Sequence, residues 1–195
     1  MYAYILGSVP TAYIVVKLVT GQDIREMGTK NVGALNTYHQ IGIWYAMPVL
    51  LVDAVKGVLA VLVPTWVGAP QWTVFATTTL VLVGHNWPVF FRFRGGKGAA
   101  AIFGVSLMLA PVITLLVLPA VAVIVMIVRN IVLGVAFGFV IWNVILSVTD
   151  GDPQQKGLCI FLTLVVTTTY LVSIRKHLAQ SIKERDWKGL FTGLE

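Results

Sequence analysis

Long apolar runs dominate this chain, broken by short polar segments. A helix needs about 20 apolar residues to cross a bilayer. Residues 2–19, 41–67, 71–91, 131–148 and 158–174 each read as one span. The uncharged stretch 99–128 would make a helix about 45 Å long, against about 30 Å of hydrocarbon. It contains Pro111 and Pro119, and proline breaks or kinks a helix. We therefore divide it into two short spans near Pro111. The pattern predicts an all-α, polytopic membrane protein with seven transmembrane helices.

Charge fixes the expected orientation. With seven spans and the N-terminus outside, one face receives Lys17, Arg25, Lys30, Arg92, Arg94, Lys97, Arg129 and the basic tail from Arg175. The other face receives only Lys156, beside Asp150 and Asp152. Positive residues favour the cytoplasmic side, so the C-terminus is expected inside. With six spans, Arg129 and the basic tail would both lie outside, against this rule.

Composition agrees. The 195 residues are 57% hydrophobic and only 11% charged, against roughly 25% charged in soluble domains. The net charge of +6 lies beside apolar runs, which points to anionic lipid headgroups and not to nucleic acid. Cys159 stands alone in an apolar run, so neither a disulfide framework nor a metal site is expected. The first run lacks a basic flank and a cleavage site, and reads as a span. No internal repeat or linker appears, so residues 1–195 are expected to form one domain.

The side chains able to do chemistry fall in the segments 20–40 and 92–98 and in the tail. The first carries Asp23, Arg25, Gly28, Thr29, Lys30, Asn31, Gly33, Asn36 and Thr37. Its glycines and short polar side chains suit a loop that turns N–H groups onto an anion. A simple polar turn between helices would look the same. The second reads Arg92-Phe93-Arg94-Gly95-Gly96-Lys97-Gly98 ahead of Ala99. A lysine among glycines at a helix start suits phosphate, although the spacing is not that of a nucleotide P-loop. A glycine hinge with ordinary flanking charges is the alternative. Within the apolar runs, Asp53 and Lys56 are spaced to share a helix face. A structural ion pair is the simpler reading and an ion path the other. His85 lies near the end of its run, close in sequence to Lys97.

Taken in order, Gly7-Ser8-Val9-Pro10, Asp23-Ile24-Arg25, Asn31-Val32-Gly33-Ala34, Asn36, Asp53-Ala54-Val55-Lys56-Gly57, Gly84-His85-Asn86-Trp87-Pro88 and Phe93-Arg94-Gly95-Gly96-Lys97-Gly98 resemble the bacterial acyl-phosphate:glycerol-3-phosphate acyltransferases, the PlsY family. The resemblance covers nearly the whole length. It implies a seven-helix, N-out enzyme of the bacterial inner membrane with its active site facing the cytoplasm. Such an enzyme moves a fatty acyl group from acyl phosphate to the 1-hydroxyl of glycerol 3-phosphate, without metal or other cofactor. The products are 1-acylglycerol 3-phosphate and phosphate, and a functional link to an acyl-phosphate-forming enzyme is implied. The His-x4-Asp dyad of soluble acyltransferases is absent, since Phe90 stands five residues after His85.

By this resemblance Thr29, Asn31, Lys97 and His177 take catalytic positions. Lys30, Gly33, Asn36, His39, His85, Gly95, Gly96, Gly98 and Gln180 take positions around the substrates. Thr29 stands for the family's serine and keeps its hydroxyl. Four positions depart from the pattern. Lys30 replaces a glycine, Leu35 a threonine, His39 an arginine and Gln180 an asparagine. Lys30 and His39 are expected to share the arginine's work, although lysine meets phosphate as a point charge and not as a planar fork. The alternatives are a degenerate paralogue that binds acyl phosphate or lipid without turnover, and a small transporter. No inverted repeat or pair of broken helices favours the latter.

Overall fold

Proline sets the first feature of the fold. The apolar run at the N-terminus does not form one helix. It forms α1 (Tyr2–Ser8) and α2 (Thr11–Thr20), divided at Val9 and Pro10. In this computed structural model the described residues are 1–149 and 152–184, without the side chains of residues 173–174, 176–182 and 184. The further helices are α3 (Ala34–Ile41), α4 (Ile43–Trp66), α5 (Gln71–Asn86), α6 (Ala99–Leu109), α7 (Pro111–Val128), α8 (Ile131–Val148) and α9 (Pro153–Glu184). There is no strand among the described residues.

Six helical segments are long and apolar enough to cross a membrane: Tyr2–Thr20, Ile43–Trp66, Gln71–Phe91, Pro111–Val128, Ile131–Val148 and Pro153–Val172. The expected division of the run 99–128 falls at Ala110, one residue before Pro111. Its first half, α6, has 11 residues and extends only about 16 Å. Pro119 stays inside α7 without ending it. Two boundaries differ from the sequence pattern. The polar segment 20–40 hides the short helix α3, which Gly42 separates from α4. The last helix runs on past residue 174 to Glu184, because nothing in its sequence interrupts the turn. Only 11% of α7 is buried although its mean hydropathy is 2.9. Lipid, not water, suits such a surface.

The chain divides into two compact units, Met1–Leu109 and Ala110–Glu195. In the first, paired glycines bring helices close. A Cβ on Gly7 would strike the Val81 carbonyl of α5, and one on Gly84 would strike the Tyr4 carbonyl of α1. Gly57 and Gly104 do the same for α4 and α6, against the carbonyls of Ala101 and Ala54. Small residues let backbones approach where lipid removes the hydrophobic driving force between helices. In the second unit, Gly134 and Gly138 of α8 admit Val125 and Val121 of α7. Trp142 Nε1 donates to Thr114 Oγ1 at 2.9 Å, and Asn143 Nδ2 to Thr163 Oγ1 at 2.9 Å. Cys159 is buried in the packing of this unit.

Candidate active site

The first unit folds its two polar segments against each other. Asp23 opens the first. Its carboxylate accepts from the backbone N–H of Arg25 at 2.9 Å and from Arg25 Nε at 3.0 Å. The hydrogen bonds from Arg25 hold the Asp23 carboxyl below the usual carboxylate range. The same guanidinium lies over the rings of Tyr13, at 5.4 Å, and Phe91, at 5.0 Å. Arg25 thus ties the loop to α2 and to the turn after α5 through cation–π contacts, and it is committed to that task.

Asn36 organises the next stretch from one side chain. It is 1% exposed. Its Nδ2 lies 3.0 Å from the Asn31 carbonyl, 3.1 Å from that of Met27 and 3.4 Å from that of Ile24. Its Oδ1 accepts from the Thr29 N–H at 3.2 Å. A buried amide so engaged shapes the loop that displays Thr29, Lys30 and Asn31. Thr29 and Lys30 are exposed on it and Asn31 is half-buried. Lys30 has φ 61°, a left-handed conformation that costs residues with a Cβ roughly 1–2 kcal/mol. This is the position where the resembling family carries glycine. His39 is exposed near the end of α3, with its ring 5.4 Å from that of Tyr38. Gly33 caps the start of α3 in extended conformation.

The second segment returns onto the end of α5. Gly95 N–H donates to the Asn86 carbonyl at 3.2 Å and Gly96 N–H to the His85 carbonyl at 3.0 Å. These glycine amides therefore satisfy the last carbonyls of a helix. Gly98, at φ 82°, makes the left-handed step into α6, and its carbonyl accepts from Ile102 at 2.9 Å. A Cβ on Gly96 would strike the Val32 carbonyl and His85 Nε2. The loop of Asn31 and the loop of Lys97 meet at this contact. Lys97 is half-buried, and burial pushes its pKa down to about 8.

Behind the loops lies the expected ion pair. Asp53 and Lys56 are each 2% exposed. Lys56 Nζ donates to Asp53 Oδ1 at 2.6 Å, to Thr11 Oγ1 at 2.8 Å and to the Val9 carbonyl at 2.6 Å. Its three donors are matched by three acceptors. Two of these were not evident in the sequence. Both of them, Thr11 and the Val9 carbonyl, lie at the break between α1 and α2 that Pro10 marks in the sequence.

A family model described as glycerol-3-phosphate acyltransferase matches residues 1–184. The chain belongs to the glycerol-3-phosphate acyltransferase family. Among its relatives, glycerol-3-phosphate acyltransferase 1 of Dehalococcoides mccartyi is 35% identical over 195 residues, covering 95% of this chain and 92% of that one. The glycerol-3-phosphate acyltransferase of Thermus thermophilus is 34% identical over 177 residues, covering 90% of this chain and 88% of that one. A crystal structure of PlsY, an integral membrane glycerol 3-phosphate acyltransferase in its glycerol 3-phosphate form, is similar with TM-score 0.82 and 28% identity. That match covers 92% of this chain and 90% of the other. Its lysophosphatidic acid form matches with TM-score 0.78. As a glycerol-3-phosphate acyltransferase, the chain is an integral membrane protein whose work lies in phospholipid synthesis. His177 and Gln180 fall where side chains lie outside the described residues.

Proposed function

We propose that this protein transfers a fatty acyl group from acyl phosphate to the 1-hydroxyl of glycerol 3-phosphate. The hydroxyl oxygen attacks the acyl carbonyl carbon and a new C–O ester bond forms. The bond from that carbon to the phosphate oxygen breaks, and its electron pair leaves with the phosphate. The hydroxyl proton ends on that phosphate. The products are 1-acylglycerol 3-phosphate and inorganic phosphate. An acyl phosphate is already activated, so catalysis rests on holding two anions together and stabilising charge on the leaving group. One observation carries this reading: the contact of Val32 with Gly96, which sets the Thr29–Lys30–Asn31 loop beside Lys97 at the start of α6.

In this reading Lys97 and the first N–H groups of α6 meet the leaving phosphate. Thr29 and Asn31 bind across the donor, and Lys30 and His39 hold the acceptor's phosphate. Asn36, Gly33, Gly95, Gly96 and Gly98 shape the two loops. His177 and Gln180 join the site by family resemblance alone. The whole chain acts as one domain with seven spans, α6 completing the count as a short one. The N-terminus lies outside and the loops face the cytoplasm of a bacterial cell membrane, where an acyl-phosphate-forming enzyme can supply the donor. The purified protein should release phosphate only when both acyl phosphate and glycerol 3-phosphate are present. Equal turnover with an acyl thioester would refute the donor assignment. The departures at Lys30, Leu35, His39 and Gln180 favour the other reading, a relative that binds these ligands without turnover. Binding of both without phosphate release would establish it.

A further inference from the structure

Three stretches of the sequence take no chemical step in the transfer just described: Gly7-Ser8-Val9-Pro10, Asp53-to-Gly57 and Gly84-His85, the last expected from the resemblance to lie around the substrates. The fold gathers all three beneath the glycine turn. The break between α1 and α2 brings Ser8 to a small cavity of about 10 Å³, which Asp53, His85, Gly95 and Gly96 also line. Ser8 is 0% exposed, and its Oγ has no hydrogen-bond partner among the described residues. His85 Nδ1 stands 3.9 Å from Asp53 Oδ1, too far for a direct hydrogen bond. Buried hydroxyls are nearly always bonded, and a polar pair at this separation is commonly bridged by water. The cavity has room for one such molecule.

On its other edge the His85 ring abuts Gly96, where a Cβ would overlap Nε2. The backbone of His85 is bonded to Gly96 as well. Asp53 in turn is fixed by Lys56 and by Thr11 Oγ1, which donates to Asp53 Oδ1 at 3.0 Å. An unbroken series of contacts therefore runs from the ion pair through the histidine to the residue before Lys97.

We propose that one buried water bridges Ser8 Oγ, the Asp53 carboxylate and His85 Nδ1, and that this hydrated cluster fixes the Gly95–Gly96 turn and so the position of Lys97. Ser8, Asp53 and His85 are positioning residues, placed behind the loop and away from the reacting atoms. The functional value of that position rests on the proposed role of Lys97, but the cluster itself does not.

Two measurements on the full-length protein test the inference without turnover. A high-resolution structure should show a single water within hydrogen-bond distance of Ser8 Oγ and the Asp53 carboxylate. The titration of the Lys97 amine, followed by pH-dependent reductive methylation and mass spectrometry, should sit near 8 in the parent. In Ser8→Ala and His85→Phe it should rise by roughly half a unit or more, as the loosened loop admits solvent. Ser8→Ala removes one oxygen and keeps the test open if His85→Phe does not fold. A dry cavity, or an unchanged Lys97 titration in folded Ser8→Ala, would overturn the proposal.

Discussion

The side-chain amide of Asn36 lies 3.0 Å from the backbone carbonyl of Asn31, five residues earlier in the chain. The same side chain holds Met27 and Thr29, so one residue keeps the loop in shape for its exposed members. Asn36→Ala is expected to lower turnover at least about tenfold and to cost about 1–3 kcal/mol of stability, through polar groups left unpaired. Steady-state rates and thermal denaturation of the purified protein check this. Unchanged rates would mean that the loop does not need its bracket.

Lys30 carries a positive φ of 61°, so the backbone there prefers glycine whatever the side chain does. Lys30→Gly should raise the melting temperature by roughly 2–4 °C, equivalent to about 1 kcal/mol. It should also raise the Michaelis constant for glycerol 3-phosphate, since a cation near the acceptor is lost. Opposite movements of stability and acceptor binding separate the two roles. A variant that is neither more stable nor weaker in acceptor binding contradicts both.

Lys97 titrates at about 8, below an ordinary lysine, because it is half-buried. In the proposed reaction its protonated form is the one that stabilises the leaving phosphate. The value of kcat/KM, which reports the free enzyme, should therefore be level below about pH 8 and fall as pH rises through it. Lys97→Arg should lose that alkaline limb, since arginine stays charged. The same limb in both proteins would assign it to another group.

Lys56 offers three donors to Asp53, Thr11 and the Val9 carbonyl, and both charges are almost fully buried. Lys56→Met alone leaves a buried carboxylate without its partner and should cost about 3–5 kcal/mol. The double variant Asp53→Asn with Lys56→Met should recover much of that loss. Denaturation in detergent measures the difference. A double variant less stable than Lys56→Met would mean that the pair does more than neutralise itself.

The sequence made the helical runs, the Pro111 division and the Asp53–Lys56 pairing legible, because each depends on spacing along one helix. The break at Pro10 was visible as a proline but hidden by unbroken hydropathy on both sides. The task of Asn36 was not legible. Its partners are backbone atoms five to twelve residues earlier, and no periodicity records them. For the same reason Gly95 and Gly96 suggest anion donors in the sequence, while in the fold their N–H groups close the end of α5. The glycine that the resemblance implies at position 30 held a usable signal, since glycine suits the left-handed backbone found at Lys30.

Lys97 is the cation proposed to meet the leaving phosphate at the start of α6. The direct measurement is the initial rate of phosphate release from acyl phosphate and glycerol 3-phosphate, for the parent and for Lys97→Ala, after both are shown to insert and melt alike. The expected result is a fall of about 10²–10³, the loss of one charge-stabilising donor at a water-excluded site. A well-folded Lys97→Ala protein turning over at the parent's rate would remove Lys97 from the chemistry and the account with it.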